Sequence, residues 1–402
     1  MLWNLWMRNA LLKITENRMF KPAIVVIAYN RETSLKRLLK SLSNAEYDYD
    51  DVNLIISIDK SDNTKVPMVA NAFDWKYGEK RVVIREERMG LKKHVLACGD
   101  YVDEFESIIV LEDDLFVSKE FYSYTCKALE FTSDNDKVAG ISLYNHQLNV
   151  HAREPFEAID DGYDNYYMQF AQSWGQAYSK KQWHGFRDWL KLNESKPVVA
   201  DNVPANVSSW SDKSWLKYYI KYVIDTDRYF LYPRISMTTN FGDEGTHAKS
   251  ADTDLQVVVS GKAKRDYCFS TLDESEAVYD AFFENKKISK YILNIIGLSD
   301  NSSKYDNTVA IDLYGYREKG IERYLLTSKA LPYKSICSYG RQLRPVEANI
   351  ISEIEGQDLF LYDTTEASEV PHVIDAARVL YNYRALNVKK MFEVMKYRIF
   401  NK

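Results

Sequence analysis

The chain has 402 residues, 46% of them hydrophobic and 28% charged, with a formal net charge of -5. That apolar fraction sustains a large core and excludes global disorder, and the acidic balance argues against a nucleic-acid partner, for which a basic surface is wanted. Length points to two domains, or to one large domain with an appendage.

Residues 2–19 set Leu2, Trp3, Trp6, Met7 and Leu11 around Arg8 and Lys13, a helical spacing that suits packing on the body or a membrane surface. At Ala23–Ala28 a short β-branched run predicts a buried parallel strand, closed by the polar turn Tyr29-Asn30-Arg31. A helix follows over Thr33–Leu42, with Leu35, Leu38, Leu39 and Leu42 on one face. Next come a strand at Val52–Ile58 ending at Asp59, a helix around Val66–Phe73 and a strand at Arg81–Arg85. A helix from about Leu91 to Val102 then leads to the strand Ser107–Leu111. Strands alternating with helices mean βαβ units and an open, mostly parallel α/β sheet, whose ligands bind at the carboxyl ends of the strands. Those ends carry Asn30-Arg31, Asp59 and Glu112-Asp113-Asp114.

Residues 116–260 are less regular and more aromatic. A helix is expected near Lys119–Phe131, a strand near Val138–Tyr144, a helix at about Ser211–Val223 and a Gly-containing loop at Asn240–His247. A helical stretch over Glu274–Ile296 precedes the polar linker 299–306. Strands at Val309–Leu313, Tyr324–Thr327, Ser335–Tyr339 and Leu359–Tyr362, with a helix near Val346–Glu355, make a small C-terminal α/β unit. Residues 385–402 read as a basic amphipathic helix. The expected partition is a segment 1–19, a main domain 20–298, an accessory domain 299–384 and the helix 385–402.

Cys98, Cys126, Cys268 and Cys337 stand far apart without a C-x-x-C pair, which indicates neither a zinc site nor a disulfide framework. They read as thiols of a reducing compartment. No stretch approaches the roughly 20 apolar residues of a membrane span, and the opening residues lack the features of a signal peptide. A cytoplasmic protein is expected. The 30 tyrosines and 8 tryptophans lean toward carbohydrate, because aromatic faces stack on sugar rings, although such residues also fill cores.

Glu112-Asp113-Asp114 is the sharpest chemical feature. Three adjacent anions at one strand end repel one another, and Leu115-Phe116 restores hydrophobicity at once. A hard divalent cation, Mn²⁺ or Mg²⁺, relieves that repulsion through oxygen ligands shared with substrate phosphates. The same acids also read as a solvated turn, or as an acidic start to the helix at 119–131. Asp59 reads equally as a turn cap. Arg88, Lys92, Lys93 and His94 lie near a helix start, where a diphosphate is favoured, and read as well as a solvated basic face. His247 is a metal ligand, a phosphate contact or a lone loop histidine; Trp174 and Trp215 are core packing or acceptor platforms.

Taken in order, Tyr29-Asn30-Arg31, Asp59 and Val110-Leu111-Glu112-Asp113-Asp114-Leu115 resemble the GT-A glycosyltransferases of the family 2-like group. Ser142-Leu143-Tyr144-Asn145, Trp174-Gly175, Trp210 to Trp215 and Pro233 to Gly242 with Gly245 extend the likeness over roughly residues 20–250. Within the group the chain is most similar to N-acetylglucosaminyltransferase I and its bacterial relatives. The resemblance implies a Rossmann-like GT-A fold that binds a nucleotide-sugar donor, usually a UDP-sugar, and transfers the sugar with inversion to a saccharide or lipid-linked saccharide acceptor. It places Asp59 on the nucleobase, Asn30 and Arg31 beside the nucleotide, and Glu112 and Asp113 on the sugar and ribose. Asp114 would ligate the metal. Asp212 falls where the family has its general base, although the family's Asp-Asp-Trp reads Asp-Lys-Ser-Trp here. Asn240, Gly242 and His247 would belong to a loop closing over the donor.

Two other classes compete. A nucleotidyltransferase also uses a metal-bound nucleotide but wants a Gly-rich basic loop after the first strand, which Ala28-Tyr29-Asn30-Arg31 is not. A non-catalytic carbohydrate-binding protein accounts for the aromatics but not for acids at successive strand ends. The expected setting is bacterial surface polysaccharide synthesis, with peripheral contact at the inner face of the cell membrane through the basic helix 385–402.

Overall fold

The structure, a computed structural model, describes residues 19–198, 203–243, 255–262, 266–298, 308–317, 320 and 322–370, with Phe392, Met395, Lys396 and Ile399. The N-terminal segment up to residue 18, the linker 299–306, His247 and most of 385–402 lie outside the described residues. Two compact units divide the chain, Met1–His151 with Pro155–Lys287 and Ala152–Glu154 with Ile288–Lys402.

The first unit is built on a nine-stranded sheet. β1 (Ala23–Ala28) is buried at every residue, as a β-branched run too short for a helix must be when both faces are covered. α1 (Glu32–Ser43) buries Leu35, Leu38, Leu39 and Leu42 at helical spacing and turns Lys36 and Lys40 outward. Each fully buried leucine contributes roughly 1.5–3 kcal/mol relative to exposure. β2 (Leu54–Ile58), α2 (Lys65–Ala72), β3 (Lys80–Ile84), α3 (Leu91–Gly99) and β4 (Ser107–Glu112) continue the alternation. After β5 (Leu115–Val117) and α4 (Phe121–Thr132) the chain adds β6 (Val138–Ser142), β7 (Asn165–Met168) and β8 (Gln176–Ser179). It closes with α5 (Lys180–Asn193), α6 (Trp215–Asp225), β9 (Tyr229–Pro233), β10 (Thr238–Asn240) and β11 (Val278–Tyr279).

Strand order is β11-β7-β9-β6-β8-β4-β1-β2-β3, with β10 and β5 forming a separate ribbon. β1 pairs in parallel with β2 on one side and with β4 on the other, so the order reverses at the β1–β4 junction. Ligands of open α/β sheets bind outside the strand ends at such a switch point, and here Ile27 lies in register with Glu112. β8 runs antiparallel between β4 and β6, while β9 is parallel to β6. The carboxyl ends of β4, β6 and β9 therefore open on one edge.

The second half of this unit is held by rings. Phe186 of α5 and Tyr219 of α6 stack at 4.1 Å, and Tyr219 meets Phe230 of β9 at 5.3 Å. Gly140 is the residue β6 needs there, because an added Cβ would lie 2.7 Å from the Phe230 ring. Trp183, Trp215, Tyr144, Tyr166, Tyr178 and Tyr232 are among the largest fully buried side chains. The aromatic excess is thus largely core, and Trp215 packs rather than presenting a platform. α5 starts at a capping box, in which Ser179 and Gln182 each accept the other's backbone N–H.

Two expected elements differ. Glu274–Ile296 is not one helix: β11 occupies its first part, and only α7 (Ser289–Ile295) is α-helical. The Asp280 carboxylate accepts the N–H of Phe282 and Glu284 at 2.8 and 3.0 Å, an alternative to the helical ladder, and Phe283 has φ +69°. The helix expected over Val346–Glu355 is likewise a single turn at Ala348–Ile351.

The second unit carries β12 (Val309–Asp312), β13 (Tyr324–Thr327), β14 (Tyr333–Tyr339) and β15 (Leu359–Ala367) in the order β12-β13-β15-β14. β12 and β13 are parallel and the other pairings antiparallel.

Candidate active site

The switch point brings Arg31, just after β1, onto the acids that end β4. Its Nη1 donates to Asp114 Oδ2 at 2.9 Å and its Nη2 to Asp113 Oδ1. One guanidinium thus faces a triplet of carboxyls. Asp113 and Asp114 are buried, at 3% and 8% exposure. Burial, partly offset by Arg31, pushes the Asp113 carboxyl up to about 6. Glu112 is pushed up to about 8 by desolvation and then by the charges of Asp114 and Asp113. Glu112 and Asp113 resist ionisation chiefly because they are buried, and Arg31 offsets that only in part.

Asp113 Oδ2 and Asp114 Oδ1 are buried and have no hydrogen-bond partner. A buried carboxylate oxygen left unpaired is costly, and these two fit a divalent cation. Among the described residues no group of three or more His, Cys, Asp and Glu side chains is gathered as a metal cage. The donors therefore suit an ion that takes most of its shell from phosphate and water, as Mg²⁺ does.

The far side of the triplet is closed by β10. Asn240 pairs with Leu115, and the N–H of Phe241 donates to the Asp114 carbonyl at 3.1 Å. The Asn240 side-chain oxygen accepts the N–H of Gly242, which sits at φ +62°, a conformation that favours glycine. Asp243 is then tied to α1: Ser34 Oγ donates to it at 2.6 Å and Arg37 pairs with it. The Arg37 guanidinium lies 3.7 Å from the centre of the Phe241 ring.

Asp59 is buried, and its carboxylate accepts three backbone N–H groups, from Lys60 at 2.9 Å, Met89 at 2.8 Å and Gly90 at 3.0 Å. It shapes the turn that sets Arg88 over the Tyr29 ring, 4.4 Å from its centre. The cap read from sequence is therefore present.

Residues 23–182 match the sequence profile described as Glycosyl transferase family 2. This segment is a family 2 glycosyltransferase domain. No curated protein matches the chain. Solved structures to which it is similar include the mannosyltransferase PcManGT from Pyrobaculum calidifontis in complex with GDP-Man and Mn²⁺, at 12% identity, 48% of this chain, 53% of that chain and TM-score 0.30. Another is S. aureus TarS 1-349 in complex with UDP-GlcNAc, at 14% identity, 57% of this chain, 61% of that chain and TM-score 0.37. The matches thus span little more than half the length of those chains.

Around the family 2 domain's switch point the structure gathers Arg31, Glu112, Asp113, Asp114, Asn240 and Gly242. Asn30 is exposed on the same turn, its carbonyl accepting from Asn63 at 2.8 Å. Lys93 is exposed on α3. His94 points inward instead: it is 2% exposed and its Nε2 lies 2.8 Å from Ser57 Oγ. Burial, opposed by Asp59 and aided by Arg85, lowers its pKa to about 4. A neutral core histidine is what the geometry shows. Asp212 is exposed ahead of α6, its carboxylate 3.1 Å from Lys217 Nζ. His247 lies outside the described residues. The Arg31 bridge and the Ser34–Arg37–Asp243 tie have no local sequence signal, because their partners lie on distant strands and helices.

Proposed function

We propose that the chain is a metal-dependent, inverting glycosyltransferase moving a sugar from a nucleotide-sugar, a UDP-sugar in the first instance, to a saccharide hydroxyl. The observation that carries this reading is the pair of buried, unpartnered carboxylate oxygens on Asp113 and Asp114 at the β1–β4 switch point of a family 2 domain. Asp114 would hold a divalent cation there, which would supply positive charge to the diphosphate and to the departing nucleoside diphosphate. Arg31 adds a second positive charge on the same side. Glu112 and Asp113 orient sugar and ribose. Asp59, with about one of its four lone-pair sites left after three N–H bonds, is assigned to the nucleobase. Asp212 is the assigned general base: it takes the acceptor hydroxyl's proton as the new glycosidic bond forms and the bond to the diphosphate breaks. The 240–243 segment, pinned to Asp114 and α1, shields the donor from water.

The deciding experiment screens nucleotide-sugars for Mn²⁺-stimulated hydrolysis and titrates UDP calorimetrically. Asp114→Ala should abolish Mn²⁺-dependent UDP binding, a loss beyond the roughly 10–100-fold that even an outer-shell metal partner is worth, while the melting curve stays cooperative. Unchanged UDP affinity in that variant removes Asp114 from the metal site, and a wild-type chain that binds no nucleotide ends the reading.

A bacterial lipid-linked polysaccharide acceptor would bring the enzyme to an anionic surface. Phe392, Met395 and Ile399 are helical and exposed at one-face spacing, within a stretch holding Lys389, Lys390, Lys396, Arg398 and Lys402. Such a face suits an anionic bilayer. Full-length protein should float with anionic vesicles at low salt and lose that behaviour on deletion of residues 385–402; protein that stays in the soluble fraction makes the stretch structural.

A further inference from the structure

Two lysines hold the turn that carries Asp212. Lys217, in the first turn of α6, is buried, and its Nζ donates to the Trp210 carbonyl at 2.8 Å and to Asp212 Oδ1 at 3.1 Å. Lys92, in the first turn of α3, brings its Nζ within 3.4 Å of the Asp212 carbonyl. The same ammonium lies 2.7 Å from Glu194 Oε1 and 3.9 Å from the centre of the Tyr218 ring, so it is turned to this group of residues rather than to a phosphate. Lys92 follows Gly90 by two residues, and the Gly90 N–H donates to Asp59 at 3.0 Å. β2 and β3 run parallel to β1, which makes that point the carboxyl edge of the sheet, where β4 also ends in the triplet. The tie from Lys92 therefore keeps Asp212 on the edge that carries Glu112-Asp113-Asp114, beside the start of α3.

The pairing of Lys217 with Asp212 is lopsided. The lysine side chain is 6% exposed and the aspartate side chain 85%. An ammonium taken out of water carries a desolvation cost, and a counter-ion left in water offsets it poorly because solvent screens the attraction. Starting α6 does not require the charge: Ser214 Oγ already accepts the Lys217 N–H at 3.3 Å, and the Ser211 carbonyl accepts the Ser214 N–H at 2.9 Å. What the buried ammonium does is fix a carboxylate that faces solvent. Oδ1 of Asp212 is anchored, while Oδ2 accepts no hydrogen bond among the described residues and is open to a hydroxyl.

We propose that Lys217 is a positioning residue for the transfer reaction, with Lys92 holding the same turn from α3. The inference rests on the assignment of Asp212 as general base made above. Asp212 Oδ2 takes the acceptor's proton as the acceptor oxygen bonds to the anomeric carbon and the diphosphate leaves with the electron pair of the broken bond. Both lysines keep their protons throughout. An aspartate on an exposed turn samples several rotamers, and ties to its side chain and main chain confine it to one. A displacement of about 1 Å in such a group costs on the order of 100-fold in rate.

Steady-state hydrolysis of UDP-glucose, UDP-N-acetylglucosamine and GDP-mannose with Mn²⁺, water serving as acceptor, tests this on the full chain. Lys217→Met, which keeps length and removes charge, should lower kcat about 10–100-fold with the donor KM unchanged. In an Asp212→Asn background the same substitution should cost nothing further, because it acts through a carboxylate already removed. Lys92→Met should lower kcat by about 3–10-fold, as loss of one hydrogen bond would, and it decides the matter if Lys217→Met unfolds. Hydrogen exchange reads the turn without substrate: the Lys213 and Ser214 amides, both bonded to Ser211, should exchange about tenfold faster in Lys217→Met. Normal turnover in the lysine variants, a loss confined to donor KM, a further loss in the double variant, or unchanged exchange at the turn overturns the inference. Impaired Asp212→Asn beside a fully active Lys217→Met sinks the positioning role alone. Normal turnover in Asp212→Asn, or a wild-type chain that hydrolyses none of the three donors, sinks the base assignment and the positioning role together.

Discussion

The two halves of the sheet reach stability by different means. From β1 to β4 the core is aliphatic, with Ile24, Val26, Leu38, Leu54, Ile56 and Leu111 all at 0% exposure. From β6 to β11 it is aromatic, with Tyr166, Tyr178, Tyr219 and Phe230 buried as fully. The aliphatic half repeats a helix and a strand at short intervals, and its parallel strands converge on the acid triplet. The aromatic half inserts the antiparallel strand β8 between β4 and β6, sets β7 antiparallel to β9, and leaves a polar cavity at its edge. The regular half supports charge chemistry at one point, while the irregular half makes room for something larger than a phosphate.

Three measurements break or sharpen that contrast. Largest is the effect at Asp212, which belongs to the aromatic half yet is assigned to the chemistry. Asp212→Asn should lower kcat by about 10²–10⁴-fold with donor affinity nearly kept, since a general base acts in the transition state. Near-normal turnover would confine the chemistry to the triplet's side.

Next comes Phe230→Ala, which removes a ring packed against Tyr219 and Tyr178. A loss of roughly 3–5 kcal/mol is expected in denaturant unfolding. A cost below about 1 kcal/mol would mean that the aromatic half is loosely packed and collapses around the gap.

Smallest is a pH effect centred on the aliphatic half. Glu112 and Asp113 are held up to about 8 and about 6 by burial and mutual repulsion, above ordinary carboxylate values. The native state therefore binds protons that the unfolded chain has released. Their contribution is present below about pH 4 and is lost as pH rises through about 6 and about 8. Metal-free protein should melt at lower temperature at pH 8 than at pH 5, with a shallower slope in Glu112→Gln and recovery on adding Mn²⁺. A melting temperature flat across that range would show that the triplet is not strained by its own charge.

Much of the aliphatic half is legible along the chain, because Leu35, Leu38, Leu39 and Leu42 or the run Ala23–Ala28 declare their faces within a few residues. The aromatic half is harder to read. Tyr and Trp serve cores and sugars alike, so the count of rings did not distinguish Trp215, which is core, from a platform. The stretch from Glu274 failed as a helix because Asp280 turns its own backbone, a local competition that apolar spacing does not reveal. Asp59 illustrates a third case: cap and nucleotide contact were both open, and the three N–H bonds show that the cap exists without removing the other role.

What the sequence determined by itself was the alternation of strands and helices, the parallel half-sheet and the acids at its strand ends, because period, β-branching and charge clustering are local properties. Only the tertiary structure decided which charges meet. Arg31 lies 82 and 83 residues before Asp113 and Asp114, and they touch because β1 and β4 are neighbours at the point where strand order reverses. The same holds for Asp243 on Ser34 and Arg37, and for His146 sealed in its rings with both nitrogens unspent. Such partnerships depend on strand order and packing, which no stretch of the chain encodes alone.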